Sequence, residues 1–238
     1  MTVTQAVAVV LGGGVGSRFG AARPKQLLTL DGKSLVEHCV AAFAAAPGVN
    51  AVLLVMPPDY HEETRKLVGD QVSDIISGGV TRSDSVRNAI RHIAARYPAE
   101  TTGVLFHDAA RPLVTQRVIG DCVDALGKYD ASGVAVPTAD TIVVCTDEGV
   151  MAHVPPRETL QRCQTPQCFR LSVIARAHEL AAADPDFVPT DDCGVVLRYL
   201  PDVPVHVVRG TERNIKVTYP ADLAVAEALL RTPPTTPA

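Results

Sequence analysis

The sequence predicts an α/β protein with a doubly wound, mostly parallel sheet. Continuous apolar runs, such as residues 6–11 (AVAVVL) and 51–56 (AVLLVM), are typical of strands that are covered on both faces. Segments with helical spacing alternate with these runs along the chain, and this alternation favours parallel strands joined by helices. In such a sheet ligands bind beyond the carboxyl ends of the strands, so we expect the functional residues just after each strand.

The predicted elements follow one another in order along the chain. Ser34 is expected to cap a helix that continues to residue 46, because serine accepts a hydrogen bond from the first helical turn. Val86, Ile90 and Ile93 lie on one face of another predicted helix. Short apolar runs predict strands at 6–11, 51–56, 103–107, 133–136 and 203–208. The further helices are predicted at 83–95, 115–126, 171–183 and 220–230.

The composition predicts one folded domain over residues 1–231. Of the 238 residues, 47% are hydrophobic and 20% charged, which is too apolar for a disordered chain. The net charge of -4 argues against a general nucleic-acid binder. No run approaches the roughly 20 apolar residues of a membrane span, and the first residues lack the basic segment of a secretory signal. The six cysteines form no C-x-x-C pair, so we expect reduced thiols and a cytoplasmic location.

Two segments depart from the strand and helix pattern. Residues 140–169 mix polar and apolar positions and contain three prolines. We therefore expect an extended β-arm that leaves the sheet and contacts a second copy in a homodimer. Residues 232–238 (TPPTTPA) are rich in proline and threonine and are expected to be disordered.

A glycine-rich loop follows the first predicted strand. Backbone N–H groups in such a loop can turn toward one point and let a phosphate approach closely. The alternative is an ordinary glycine turn without a ligand. Because cationic side chains follow the loop, a polyphosphate site is favoured. The four glycines are Gly12, Gly13, Gly14 and Gly16, and the cations are Arg18, Arg23 and Lys25.

Two common phosphate-binding motifs do not fit this loop. The dinucleotide fingerprint G-x-G-x-x-G would need glycine where Ser17 or Phe19 stands. A Walker A motif ending at Ser34 would need an earlier glycine where Leu27 stands. Neither a dehydrogenase of the dinucleotide-binding type nor a P-loop kinase is therefore predicted.

Several motifs in the same order give the chain a family resemblance. The loop L-G-G-G-V-G-S-R-F-G is followed by R-P-K-Q, and later come Gly78-Gly79 with Arg82 and Ser85. Further along stand F-H-D-A-A-R-P at 106–112, D-T at 140–141, Q-T-P-Q at 164–167 and N-I-K-V-T at 214–218. Over roughly residues 6–231 the chain resembles the CTP-dependent cytidylyltransferases of 2-C-methyl-D-erythritol 4-phosphate and ribitol 5-phosphate. The resemblance implies transfer of CMP to a polyol phosphate, with release of pyrophosphate.

The resemblance also implies a set of residues for the nucleotide. The four loop glycines would hold the CTP triphosphate, with Arg18 and Lys25 on its phosphates. Gly79 and Ser85 would line the pocket for cytosine and ribose. Asp108, at the end of a predicted strand, would hold Mg2+, an ion that often uses only one or two carboxylates beside phosphate oxygens.

A second set is implied for the acceptor. Arg111 would bind the polyol phosphate, and Thr165 would lie near the acceptor. Thr141 and Arg157 lie on the predicted arm, which in this family crosses to the partner subunit. Lys216 would join Lys25 around the α-phosphate. A phosphate monoester is largely dianionic at neutral pH, so this reaction needs charge neutralisation and no general base.

The remaining candidates leave alternatives open. Leu11-Gly12 in the loop and Val143 after D-T-I are closer to the ribitol-phosphate branch, which favours ribitol 5-phosphate as the acceptor. The alternative acceptor is 2-C-methyl-D-erythritol 4-phosphate of the non-mevalonate isoprenoid pathway. Another nucleotide, or a nucleotide sensor without turnover, also stays open. His107 is expected to be structural, and helix capping is expected for Asp191 and Asp192. No role is predicted for the other histidines: His38, His61, His92, His153, His178 and His206.

Overall fold

A computed structural model describes residues 2–13, 23–184 and 186–232 of the chain. Its strands, in chain order, are β1 (Gln5–Leu11), β2 (Thr29–Leu30), β3 (Lys33–Ser34), β4 (Ala51–Met56), β5 (Asp74–Ser77), β6 (Thr102–Asp108), β7 (Ala131–Pro137), β8 (Val144–Cys145), β9 (Met151–His153), β10 (Gln161–Arg170) and β11 (Val205–Arg209). Its helices are α1 (Leu35–Ala44), α2 (His61–Val68), α3 (Arg82–Ala94), α4 (Gln116–Leu126), α5 (Leu171–Ala182), α6 (Asp192–Tyr199) and α7 (Pro220–Arg231).

The central sheet has seven strands in the order β11-β7-β10-β6-β1-β4-β5. The pairs β1–β4, β1–β6, β4–β5 and β7–β11 are parallel. Strand β10 is antiparallel to both of its neighbours, β6 and β7. The predicted class, a mostly parallel sheet with helices on both faces, is therefore confirmed.

Helices cover both faces of this sheet because successive strand residues point to opposite sides. On one side Ala8 and Val10 of β1 pack with α1 and α4, where Phe43 and Ile119 are fully buried. On the other side Val9 packs with apolar residues of α3, α5 and α6. Strands β1, β4, β6 and β7 are buried on both faces, as their apolar runs predict, whereas the edge strands β5 and β11 are partly exposed.

The helix starts follow the predicted capping chemistry. Ser34 accepts a hydrogen bond from the N–H of Glu37, and the Glu37 carboxylate accepts one from the N–H of Ser34, which completes a capping box at α1. Thr81 and Asp84 form the same arrangement at α3. These reciprocal bonds fix the residue at which each helix begins.

The predicted arm at 140–169 is too long at its carboxyl end. Residues 161–170 form β10 inside the central sheet, and Gln164, Thr165 and Gln167 are buried there. Their polar side chains give this strand the pattern of an exposed segment, although each is hydrogen-bonded inside the protein. The segment that leaves the sheet carries the β8–β9 hairpin, on which Val150 and Met151 are more than half exposed.

Four further features complete the description. The sequence patterns did not predict α2 or β5, which are short and partly polar. Within the described ranges, no helix combines the length and the apolar character needed to cross a bilayer. All six cysteines are free. The tail predicted at 232–238 lies outside the described residues except for Thr232.

Candidate active site

The start of the glycine loop is pressed against the neighbouring strand. The N–H of Gly12 donates to the carbonyl of Val55 at 2.8 Å, and Gln26 Nε2 donates to the carbonyl of Gly12 at 2.7 Å. A Cβ atom at Gly12 would lie 2.4 Å from Met56 Sδ, so only glycine fits without a shift. Three predicted residues of this loop, Gly14, Gly16 and Arg18, lie outside the described residues.

The turn between β5 and α3 lies beside this loop. A Cβ atom at Gly13 would be 3.1 Å from Ser85 Oγ and 3.5 Å from the Cα of Gly78. Ser85 Oγ accepts a hydrogen bond from the N–H of Gly79 at 3.0 Å and donates one to the carbonyl of Thr81 at 3.1 Å. The predicted nucleotide residues Gly13, Gly79 and Ser85 thus share one edge of the sheet, with the Ser85 hydroxyl shaping the turn.

Asp108 is the centre of a charged cluster at the end of β6. Lys216 Nζ lies 2.7 Å from Asp108 Oδ2, and Arg82 Nε lies 3.5 Å from Oδ1. Burial alone would raise the pKa of Asp108, but Arg82, Lys216 and Arg111 hold the pKa of this carboxyl well below its usual range. The carboxylate is therefore ionised whenever the protein is folded near neutral pH.

Lys25 is brought to the segment that carries Lys216. Lys25 lies in a short 3-10 helix after Pro24, and its ammonium group donates to the carbonyl of Val217 at 2.9 Å. The N–H of Val217 donates in turn to the carbonyl of Ala110, next to the end of β6. Arg23, the cation before it, forms an ion pair with Glu63 on α2 instead.

Arg111 and Thr165 lie on the other side of Asp108. Arg111 Nη1 donates to the carbonyl of Asn214 at 2.8 Å, and its buried Nε has no hydrogen-bond partner among the residues that the structure describes. Burial lowers the pKa of Arg111. The N–H of Asp108 donates to Thr165 Oγ1 at 3.1 Å, so the antiparallel β10 delivers Thr165 directly to the end of β6.

His107 has the structural role expected from the sequence. The side chain is fully buried, and burial lowers its pKa to about 4. Its Nε2 lies 3.0 Å from the carbonyl of Arg111, which can only accept, so Nε2 carries the proton. Its Nδ1 then accepts from the Thr165 hydroxyl at 3.0 Å. The neutral ring therefore fixes the positions of Arg111 and Thr165.

Thr141 and Arg157 lie apart from this cluster, on the arm. Arg157 Nη2 donates to Thr141 Oγ1 at 2.8 Å. Among the residues that the structure describes, no hydrogen bond or ion pair joins either of them to Asp108 or Lys216. A single copy of the chain therefore does not unite all the predicted acceptor residues.

The sequence patterns missed a buried ion pair behind the cluster. Arg82 Nη2 lies 2.8 Å from Asp192 Oδ2, and Asp192 Oδ1 lies 3.0 Å from His178 Nε2. Helix capping is confirmed for Asp191, whose Oδ1 accepts from the N–H of Gly194. It is wrong for Asp192, which is the first residue of α6 and points into the interior. His178, for which no role was predicted, belongs to this group. The G-G-x-x-R spacing was the available signal for Arg82.

Asp108 is the residue that could hold a divalent cation. No group of three or more His, Cys, Asp and Glu side chains with metal-site geometry occurs in the described part of the chain. A cation here would rely on one carboxylate together with phosphate oxygens of a ligand, a donor set that Mg2+ accepts. The ionised Asp108 at the strand end fits this requirement. Because Lys216 Nζ lies 2.7 Å from Oδ2, a cation at that atom requires Lys216 to move.

Comparison with known proteins identifies the family of the chain. The sequence model of the IspD family, 2-C-methyl-D-erythritol 4-phosphate cytidylyltransferase, matches residues 6–232. A protein of that name from Thermobifida fusca is 52% identical, over 94% of this chain and 93% of its own. The bifunctional ribulose 5-phosphate reductase/CDP-ribitol pyrophosphorylase Bcs1 of Haemophilus influenzae is 36% identical, over 97% of this chain and 49% of its own.

A solved structure shows the same fold. The 4-diphosphocytidyl-2C-methyl-D-erythritol synthase of Anaerococcus prevotii superposes with a TM-score of 0.84 at 22% identity, over 96% of each chain. At this identity the likeness concerns the fold, and the sequence comparisons identify the family. The chain belongs to the 2-C-methyl-D-erythritol 4-phosphate cytidylyltransferase family.

Proposed function

We propose that the chain transfers CMP from CTP to 2-C-methyl-D-erythritol 4-phosphate and releases pyrophosphate. The observation that carries this proposal is the contact between Lys216 and the ionised Asp108, with Arg82 and the segment that holds Lys25 beside it. Lysines that are far apart in the sequence thus lie near the carboxyl end of β6. The relatives favour the methylerythritol acceptor over ribitol 5-phosphate, toward which the sequence leaned.

The chemistry follows from this collection of charges. An oxygen of the acceptor phosphate attacks the α-phosphorus of CTP, and the bond to pyrophosphate breaks. The attacking phosphate is largely dianionic at neutral pH and needs no base. Lys25 and Lys216 stabilise the negative charge on the five-coordinate phosphorus, and Arg18 is assigned to the same phosphates. Asp108 would hold a Mg2+ ion, which would supply further charge neutralisation on the triphosphate.

The acceptor side is assigned to residues around Arg111. Its guanidinium donates to the carbonyls of Asn214 and Cys163, and its buried Nε has no partner in the described part of the chain. Such a group gains strongly from a phosphate ligand, because a buried unpaired donor is costly. Thr165 lies next to Asp108 and is assigned to the acceptor as well.

The arm is assigned to dimer contact. Its exposed apolar side chains, including Val150, Met151 and Val154, support burial against a second copy. In such a homodimer Thr141 and Arg157 of one copy complete the acceptor site of the other. The free thiols of all six cysteines support a cytoplasmic location.

Pyrophosphate release tests the proposal. Purified protein is incubated with CTP and Mg2+ and with either 2-C-methyl-D-erythritol 4-phosphate or ribitol 5-phosphate. Release with the first acceptor and none with the second is the expected result. Release with ribitol 5-phosphate alone would support the activity named for the Haemophilus relative. Absence of release with both acceptors would overturn the transferase assignment, and UTP, ATP and GTP in place of CTP measure nucleotide choice.

A further inference from the structure

Arg82 bridges two carboxylates that lie at different depths in the protein. Its Nε faces Asp108 Oδ1 at 3.5 Å, at the edge of the site, and its Nη2 faces Asp192 Oδ2 at 2.8 Å, in the interior. The side chain of Asp108 is 13% exposed, whereas that of Asp192 is 1% exposed. The guanidinium of Arg82 thus connects the charged cluster around Asp108 to the buried carboxylate of Asp192.

Three elements of the fold fix the position of Asp192. Asp192 Oδ1 pairs with Nε2 of the buried His178 at 3.0 Å, and the N–H of Asp192 donates to Gln167 Oε1 at 2.9 Å. Gln167 lies in β10, two residues after Thr165, and Asp192 begins α6. The position of the Asp192 carboxylate is therefore fixed by the backbone of α6, by β10 and by α5.

The energetics argue against a role in packing alone. Removing a carboxylate and a guanidinium from water costs several kcal/mol per ion, and apolar residues of similar volume would fill the same space at lower cost. Burial alone would raise the pKa of Asp192, but Arg82 and His178 keep it below its usual value. Asp192 therefore stays ionised at a buried position that an uncharged side chain could fill.

We infer that Asp192 and His178 are positioning residues that hold Arg82 against one oxygen of Asp108. This inference rests on the proposed function. With Arg82 fixed at Oδ1, the Asp108 carboxylate keeps a single orientation, in which Oδ2 faces Lys216. The side chain of Lys216 is 41% exposed and pairs with Asp108. Its ammonium group can therefore leave Asp108 and pair with a phosphate instead. Arg82 stays in place during this exchange because Asp192 holds its other nitrogen.

A double-mutant cycle tests the inference. Asp192→Asn keeps the shape of the side chain but removes the charge that orients Arg82. We expect kcat to fall by roughly 10- to 100-fold, as for other residues that orient an active-site group, while the KM for CTP changes by less than about threefold. In an Arg82→Gln background the same Asp192→Asn change should have almost no further effect on kcat, because its effect acts through Arg82.

His178 offers a matched pair of variants. His178→Gln retains an N–H group that can reach Asp192 Oδ1, whereas His178→Leu removes it. The glutamine variant should keep most of the wild-type kcat, and the leucine variant should lose about as much as Asp192→Asn. Circular dichroism and thermal unfolding confirm that each variant is folded. Where His178→Leu fails to fold, the Arg82–Asp192 cycle decides alone, since its double variant leaves no unpaired buried charge.

The outcomes separate this inference from the proposed function. If wild-type protein releases no pyrophosphate, the proposed function has failed. If wild-type protein is active and the effects of Asp192→Asn and Arg82→Gln on kcat multiply, the residues act independently and the positioning role is wrong. Equal kcat for Asp192→Asn and wild type would overturn it as well.

Discussion

The ammonium group of Lys25 donates a hydrogen bond of 2.9 Å to the carbonyl of Val217, 192 positions later in the chain. Lys216, the residue before Val217, reaches Asp108 at 2.7 Å. The two lysines are therefore neighbours, and the backbone between them is tied to the end of β6 through Ala110. Positive charge from both ends of the sequence is concentrated at one strand end.

Loss of either lysine should slow the reaction far more than it weakens CTP binding. Lys25→Ala and Lys216→Ala each remove a cation that acts most strongly on the transition-state charge, so we expect kcat to fall by about 10²- to 10³-fold. Steady-state kinetics and CTP calorimetry measure the two effects separately. Lys66→Ala, an exposed lysine paired with Glu62 on α2, is the matched control and should behave as wild type. Equal losses in kcat and CTP affinity would place the lysines in ground-state binding.

Mixing of inactive variants should reveal the role of the arm. Lys25→Ala and Arg157→Ala are each expected to be inactive, but their mixture should regain about a quarter of wild-type activity, because half of the dimers are mixed and each has one intact site of two. A mixture of Lys25→Ala with Lys216→Ala is the control and should stay inactive. No recovery in the first mixture would show that Arg157 serves its own chain or that no dimer forms.

Acidification should destabilise the protein through His107. Burial lowers the pKa of His107 from 6.5 to about 4, so the unfolded chain binds this proton at a higher pH than the folded protein does. The stabilisation that the neutral His107 contributes is fully present above the pKa of the unfolded chain. It is lost as the pH falls toward the pKa that His107 has in the folded protein. Between neutral pH and about pH 5 this loss amounts to about 2 kcal/mol. Urea unfolding of wild type and of His107→Gln checks the prediction, since the variant should lack this part of the pH dependence.

Cys163 should react with alkylating agents before the buried cysteines do. A hydrogen bond from the Cys193 thiol lowers the pKa of Cys163, and the Gln167 amide donates to its sulfur at 3.1 Å. Burial raises the pKa of Cys39, and the hydrogen bond to Cys163 together with burial raises that of Cys193. Peptide mapping after brief treatment with iodoacetamide at neutral pH should find Cys163 modified while Cys39 and Cys193 are not. In Cys163→Ser, neither buried thiol should gain reactivity; faster labelling of Cys39 in wild type would contradict the prediction.

The sequence was most informative where a residue acts through local geometry. The apolar run at 51–56 is β4 without any change of boundary, and Ser34 caps α1 as its position predicts. Both features depend on neighbours within a few positions. The family motifs also led to Asp108 and Lys216, because a fixed order of short motifs carries long-range information that periodicity lacks.

The sequence was least informative where burial is polar. Gln164, Thr165 and Gln167 look like surface residues, and their partners, Thr211, His107 and Asp192, are far away in the chain. No local pattern shows that these bonds exist, so the sequence predicts residues 161–169 as part of the arm. The Arg82–Asp192 pair was missed for the same reason, since its two charges are more than a hundred positions apart.

The direction of β10 has a topological consequence for the enzyme. A strand parallel to β6 would enter the sheet at the opposite edge, far from Asp108. By running the other way, β10 leaves the hairpin region and arrives first at the rim where β6 finishes, so that Thr165 meets Asp108 within five residues of its start. The arm that extends outward and the residues next to Asp108 are thereby consecutive in the chain.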